Sequence, residues 1–329
     1  MAKLCSSRAM LLLLLISAIP VAYILRSELS TPPTHVYHYH ASGLFRESAA
    51  WDESHRRFLV SFVEGGIGEV KVRDDGEGEG GVLEEVTVVK DADVSGNASV
   101  GIEVDAVRKR VVVVYVDLIG RGFGAVAAYD LGTWERLFLT RLAGPGDEKS
   151  MADDVAIDEE GNAYVTDCLS NKIWKVGVDG KLLSTIRSPL FTHNAWYKDL
   201  IGLNGIVYHP DGFLLVIHTV TGDLYKIILK KDEDEELKLV KIVQGSLRLG
   251  DGIALVTSTK LVVAGNPSGR LVESTDGWET AAVVGKFSGP LHRLATTAVV
   301  KDGKVYLSHL IGVGYPKTKH ALVEAVFST

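Results

Sequence analysis

One plan recurs along almost the whole chain: a short apolar run, an acidic-Gly turn, a second apolar run ending in a polar residue, then a third run. It is plainest in ADDVAIDEEGNAYVTDCLSNKIWKVGVDGK (152–181) and GLNGIVYHPDGFLLVIHTVTGDLYKI (202–227). Each reads as strand, hairpin, strand, loop, strand. Further copies begin near Glu47, Ser99, Gly250 and His292. Aligned on their first hairpins, the six units put Glu47, Val100, Asp153, Asn204, Asp251 and Ala295 at one position, spaced 53, 53, 51, 47 and 44 residues apart. A period of this length, with several strands per unit and little helical patterning, predicts an all-β, six-bladed β-propeller over residues 35–329. HVYHYHAS (35–42) and HALVEAVF (320–327) also alternate like strands, and one or both are expected to close the ring.

Ahead of the repeats stands a different kind of segment. AMLLLLLISAIPVAYIL (9–25) carries no charge and follows Lys3 and Arg8, so residues 1–30 read as a secretory signal peptide or a signal anchor. Positive charge on its N-terminal side places the remainder in the lumen or outside, which gives a secretory-pathway address: endoplasmic reticulum, vacuole or exterior. If the segment is uncleaved, it is the only contact with the membrane. Beyond it Cys168 is the sole cysteine, so no intrachain disulfide is available to the folded domain. Asn97-Ala98-Ser99 is a glycosylation sequon that such an address makes usable.

The formal net charge of −7 argues against nucleic acid as a partner, since a phosphate backbone calls for a basic face. It suits a cation and a small-molecule substrate. The acidic runs DDGEGEGG (74–81) and KKDEDEELK (230–238) fall between repeats and read as solvated connections.

In a propeller the first strand of every unit lines the central channel, so residues at one aligned position converge near the axis. Four of the six here are oxygen donors, three of them carboxylates: Glu47, Asp153, Asn204 and Asp251. Any one of these alone is an ordinary turn residue. At ~4 Å each carboxylate pair would repel by about 4 kcal/mol at an effective dielectric of 20, which a hard divalent cation relieves. Oxygen-only donors suit Ca²⁺, with Mg²⁺ or Mn²⁺ as alternatives. Fourteen positions on from each ligand position lie Ser61, Asp167, His218, Gly265 and His309. Because the second strand returns to the same end, Asp167, His218 and His309 are candidate substrate contacts, with Asp117 the counterpart in the second unit. Asp154 is a candidate second-layer residue and Cys168 a packing residue.

From about Glu47 to His309 the chain resembles the SMP-30/gluconolactonase/LRE-like family, in particular its plant calcium-dependent phosphotriesterase superfamily branch. The likeness rests on Glu47 before Trp51-Asp52, on Asn204-Gly205 and on Asp251-Gly252. It implies that Glu47, Asn204 and Asp251 bind a catalytic divalent metal together with the residue at 153, where the family has Asn and this chain has Asp. It also implies Asp251 as catalytic base. Sugar-lactone hydrolases of the family carry an Arg where Met151 stands, so an aldonolactone substrate is not implied. The expected activity is a metal-dependent hydrolase of a lactone, ester or phosphoester. The alternative is a non-catalytic lumenal propeller with a structural metal that binds a small molecule or protein.

Overall fold

The computed structural model describes residues 7–29, 34–72, 81–120, 122–230 and 235–328. It divides into two compact units, Met1–His35 and Val36–Thr329. The acidic positions 74–80 and 231–234 lie outside the described residues. In the first unit, helix α1 (Ser7–Leu29) takes up the apolar N-terminal segment, with Pro20 inside it. Among the described residues no helix is long and apolar enough to cross a membrane.

The second unit is all β. After β1 (Val36–Ala41) come five runs of four strands and a last run of three. The first run is β2 (Arg46–Asp52), β3 (Arg57–Phe62), β4 (Ile67–Lys71) and β5 (Leu83–Val89). The second is β6 (Ala98–Asp105), β7 (Arg110–Val116), β8 (Gly124–Asp130) and β9 (Arg136–Ala143). The third is β10 (Ala152–Ile157), β11 (Ala163–Asp167), β12 (Lys172–Val176) and β13 (Leu182–Arg187). The fourth is β14 (Leu203–His209), β15 (Phe213–His218), β16 (Leu224–Ile228) and β17 (Glu236–Gln244). The fifth is β18 (Gly250–Thr257), β19 (Lys260–Gly265), β20 (Gly269–Glu273) and β21 (Thr280–Phe287), and the last is β22 (Ala295–Lys301), β23 (Lys304–His309) and β24 (Thr318–Glu324).

Within each run consecutive strands pair antiparallel, and β1 joins β24 to complete the last sheet in the order β22-β23-β24-β1. Both end segments therefore enter one sheet. Parallel contacts between β1 and β5, and between β17 and β21, merge two pairs of sheets at their outer strands.

Burial explains the strand sequences. β7 (RVVVVYV) and β15 (FLLVIH) are buried at every residue, hence nearly continuous apolar runs, whereas outermost β13 is buried only at Ile186. The core lies between neighbouring sheets. Val112, Val114 and Val126 of the second run pack on Val155, Val165 and Trp174 of the third, and Tyr37, Phe58 and Tyr306 pack where the last sheet meets the first. Full burial of each such side chain contributes roughly 1.5–3 kcal/mol. Turn chemistry sets the hairpins. Between β14 and β15 the connection is Pro210-Asp211-Gly212, and Gly212 sits at φ 85°, where a Cβ is unwelcome.

First strands pack on first strands, β2 on β6, β6 on β10, and so on through β14, β18 and β22 back to β2. The closed ring encloses an axial cavity of about 280 Å³ to which all six contribute, among them Trp51, Glu103, Ile157, Tyr208, Leu255 and Val300. The arrangement is propeller-like, with the residues aligned by the repeat brought to one end of the axis.

Candidate metal centre

Each of the six hairpins is irregular at the same place. The register slips between Arg46 and Ala49, Ser99 and Ile102, Ala152 and Val155, Leu203 and Ile206, Gly250 and Ile253, and Ala295 and Thr297. Glu47, Val100, Asp153, Asn204 and Asp251 all fall within these bulges, and Ala295 borders its own. A bulge breaks the in-out alternation and re-aims a side chain, so near-axial polar groups can follow a strand whose other inward residues are apolar.

The glycines after Asn204 and Asp251 have a steric cause. A Cβ on Gly205 would lie 2.4 Å from the Asp251 carbonyl oxygen, and one on Gly252 would lie 2.8 Å from that of Thr296. Gly101 repeats the relation, its Cβ position being 2.6 Å from the Asp153 carbonyl oxygen. Adjacent first strands approach too closely at the ring's narrow end for any side chain there. Asn204-Gly205 is thus a polar group aimed inward followed by a backbone contact, and no turn.

The polar groups form one electrostatic cluster. Burial first, then Asp153, Asp251 and Asp154 in turn, hold the Glu47 carboxyl well above its ordinary range. Asp251 is likewise held well above its range by burial and by Asp153 and Asp154, while a hydrogen bond from the Asn204 amide opposes the shift. Asp153 is pushed up to about 6 by burial, against a hydrogen bond donated by the Cys168 thiol, and Asp154 rises to about 7. Glu103 is raised to about 8 by burial and by Asp154 and Asp105. Its side chain is exposed to the axial cavity that β6 lines. No Lys or Arg figures among the leading influences on any of these five carboxylates.

The supports are specific. Thr296 Oγ1 donates to the Glu47 carbonyl, and Ser48 Oγ lies 3.1 Å from Thr297 Oγ1, which stitches β2 to β22. Asp154 accepts from its neighbour Val155 N at 2.9 Å and from Ile206 N of β14 at 3.4 Å, bracing β10 against the strand that carries Asn204. Cys168 is buried and serves Asp153, consistent with a packing role.

The outer candidates do not share one environment. Asp167 is fully buried: Oδ1 accepts from Met151 N, Leu169 N and Ser170 N at 3.0, 3.0 and 2.9 Å, and Oδ2 from Ser150 Oγ and Ser170 Oγ at 2.8 and 2.6 Å. With Lys172 Nζ 3.5 Å from Oδ2 as well, the carboxylate ties the entry of β10 to the turn after β11. Asp117 likewise caps its own loop, accepting from Ile119 N and Gly120 N. His309 is buried beside Gly265, Pro267, Gly289 and Pro290, and burial with the Arg293 charge lowers it to about 4. It lies across the hairpin from Ala295, and its lowered value keeps it neutral near pH 7. His218 is also fully buried, lowered by burial and by His193, with Nε2 3.2 Å from Asp199 Oδ1.

The repeat alignment missed Glu103 and the segment that carries His193 and Asp199. The glycine at the next position in three units was the visible signal of the narrow ring. The segment falls between repeats and leaves no periodic trace.

No family model matches the sequence, and no curated protein does. Solved structures do. The Malassezia sympodialis allergen Mala s 1 aligns over 88% of this chain and 96% of its own, with a TM-score of 0.68 and 16% identity. A gluconolactonase of Xanthomonas campestris, XC5397, aligns over 90% and 96%, with a TM-score of 0.56 and 16% identity. A streptogramin B lyase covers 88% and 98%, with a TM-score of 0.52 and 12% identity. At such identities the likeness is one of fold.

Proposed function

We propose that the Val36–Thr329 unit is a six-bladed propeller whose axial carboxylate cluster makes it a divalent-cation-dependent hydrolase of a lactone, ester or phosphoester. Glu47, Asp153, Asn204 and Asp251 would hold the cation, Ca²⁺ by preference and otherwise Mg²⁺ or Mn²⁺. The observation that carries the reading is the convergence of partly buried carboxylates, with Asp153 raising both Glu47 and Asp251 and no cationic side chain among their leading partners. An oxygen-only donor set fits a hard cation. When bound, such an ion polarises a carbonyl or phosphoryl oxygen and stabilises the charge that develops on it.

The chain's own residues supply the rest. Asp251 accepts the proton of the attacking water, and the Asn204 amide orients that carboxylate. Asp154 fixes the spacing of β10 and β14, and so of Asp153 and Asn204. The fold shared with a protein described as a gluconolactonase supports the hydrolase class. The absence of Arg at Met151 leads away from an aldonolactone. A turnover screen over lactones, aryl esters and phosphotriesters, with Ca²⁺ and with chelator, tests the proposal. Chelator-sensitive turnover that Asp251→Asn abolishes supports it. Tight cation binding without turnover on any class would favour the non-catalytic reading, with the cation structural and the mouth a binding surface.

A secretory address is proposed with it, in the endoplasmic reticulum lumen, vacuole or exterior, with residues 1–30 as the signal. Asn97, which precedes β6 and is partly accessible, is then the glycosylation site. Expression in a eukaryotic secretory host should give a glycosidase-sensitive product that Asn97→Gln abolishes. An unglycosylated cytosolic product would refute the address.

A further inference from the structure

Between β13 and β14 the chain makes two 3-10 turns, Pro189–Phe191 and Trp196–Asp199, next to the end of β15. His193 Nδ1 lies 2.8 Å from Asp199 Oδ1, and His218 Nε2 lies 3.2 Å from the same oxygen. Ligand atoms of these three residues all fall within 4.8 Å of one another. The other ring nitrogen of His193, Nε2, is 3.0 Å from Asp223 Oδ2.

We propose that His193 Nδ1, Asp199 Oδ1 and His218 Nε2 form a second metal site, for a dication of the zinc class, independent of the oxygen-only cluster on the axis. Zinc at about 2.0–2.2 Å from nitrogen and oxygen ligands in tetrahedral geometry sets those ligands roughly 3.3 Å apart. The two close pairs, at 2.8 and 3.2 Å, already approach that spacing. Two imidazoles with one carboxylate are a borderline donor set that favours zinc, copper or nickel over the hard cations suited to Glu47 and its neighbours.

The second argument is tautomeric. Asp223 stands 3.0 Å from the far nitrogen of His193, so a cation that takes Nδ1 out of its present hydrogen bond with Asp199 leaves the ring proton held at Nε2. A carboxylate behind a histidine in this way fixes the tautomer and raises ligand basicity at metal centres. The burial gradient adds a third. His218 is fully buried while His193 and Asp199 are partly accessible, so the fourth coordination position would open outward. Because His218 pairs with Leu203 across the hairpin, metal here would fasten the 188–202 segment directly beside Asn204.

The test is calorimetric titration of zinc chloride into the metal-stripped full chain, with the axial cluster pre-saturated by calcium. The expected result is a single zinc at about 10 μM or tighter. His193→Ala and Asp199→Ala should each weaken it by about tenfold or more, Asp223→Asn by a smaller factor, and Glu47→Gln should leave it unchanged. Cobalt(II) in place of zinc should give the visible absorption of a tetrahedral centre, lost in His193→Ala. Asp223→Asn keeps the test open if a ligand variant misfolds, since it alters only the residue behind His193. No zinc uptake by the wild type, or uptake that survives His193→Ala with Asp199→Ala, or uptake abolished by Glu47→Gln, would overturn the proposal.

Discussion

The Asn204 side-chain amide donates a hydrogen bond to the Asp251 carboxylate across neighbouring first strands. The bond places a neutral oxygen donor beside a carboxylate of raised pKa, and the two residues have separable roles. Asn204→Ala removes one ligand and should weaken Ca²⁺ binding by about tenfold, near 1.4 kcal/mol, while turnover at saturating Ca²⁺ falls only modestly. Asp251→Asn keeps size and an oxygen but removes the base, so kcat at saturating metal should fall by about a hundredfold or more. Equal losses of kcat in the two variants would contradict the assignment.

Proton linkage gives a second expectation. In the cation-free protein Asp153 sits at about 6 and Asp154 at about 7, against an ordinary 3.8 for both. Between these limits the folded state binds more protons than the unfolded one, so stability is greatest at the acid side and is lost as pH rises through the folded-state values. The Tm of chelator-treated protein should therefore drop, on the order of 5 °C, from pH 5 to pH 8. Saturating Ca²⁺ should flatten that slope, because the cation replaces the protons. A Tm that rises over this range without metal would contradict the clustered charges.

The close approach of β14 and β18 predicts a steric penalty. Gly205→Ala sets a methyl group 2.4 Å from the Asp251 carbonyl oxygen. Backbone cannot yield there without widening the ring, so the variant should lose about 1–3 kcal/mol in denaturant unfolding. Gly122→Ala, where the nearest atom to the added Cβ is at 3.9 Å, should change stability by less than about 0.5 kcal/mol. Comparable effects in the two would mean that the first strands do not touch as described.

The hairpin period was enough to align Glu47, Asp153, Asn204 and Asp251, because the second strand begins 10, 10, 9 and 9 residues after them, at Arg57, Ala163, Phe213 and Lys260. The bulges themselves were not legible: a register slip leaves no residue signature when Glu, Asp, Asn and Ala can all occupy it. Closure of the ring was legible only in part. The strand pattern at 35–42 and 320–327 was visible, but pairing of β1 with β24 is a contact between chain ends. The fourteen-residue offset located Asp167 but not its bonding, because spacing reports where a side chain stands and says nothing of which backbone donors occupy its oxygens. At His309 it could not foresee that Gly289 and Pro290 pack beside the histidine, because they belong to a connection outside the repeat.

The anchoring role of Asp167 is testable. Asp167→Ala strands the donors of residues 150–151 and 169–170 and should cost about 2–4 kcal/mol of stability. If the carboxylate serves only these internal donors, KM of the folded fraction should stay within about twofold of wild type. A large rise in KM at unchanged Tm would restore the substrate-binding role.

Calcium titration of metal-stripped protein at pH 6.5, by calorimetry in two buffers of different ionisation enthalpy, tests the central claim most directly. One Ca²⁺ should bind among Glu47, Asp153, Asn204 and Asp251, and the buffer dependence of the heat should reveal protons released from carboxylates held above their ordinary range. Binding should be lost in Glu47→Gln combined with Asp251→Asn. No saturable heat, or the same affinity in that double variant with no proton release, would contradict the account.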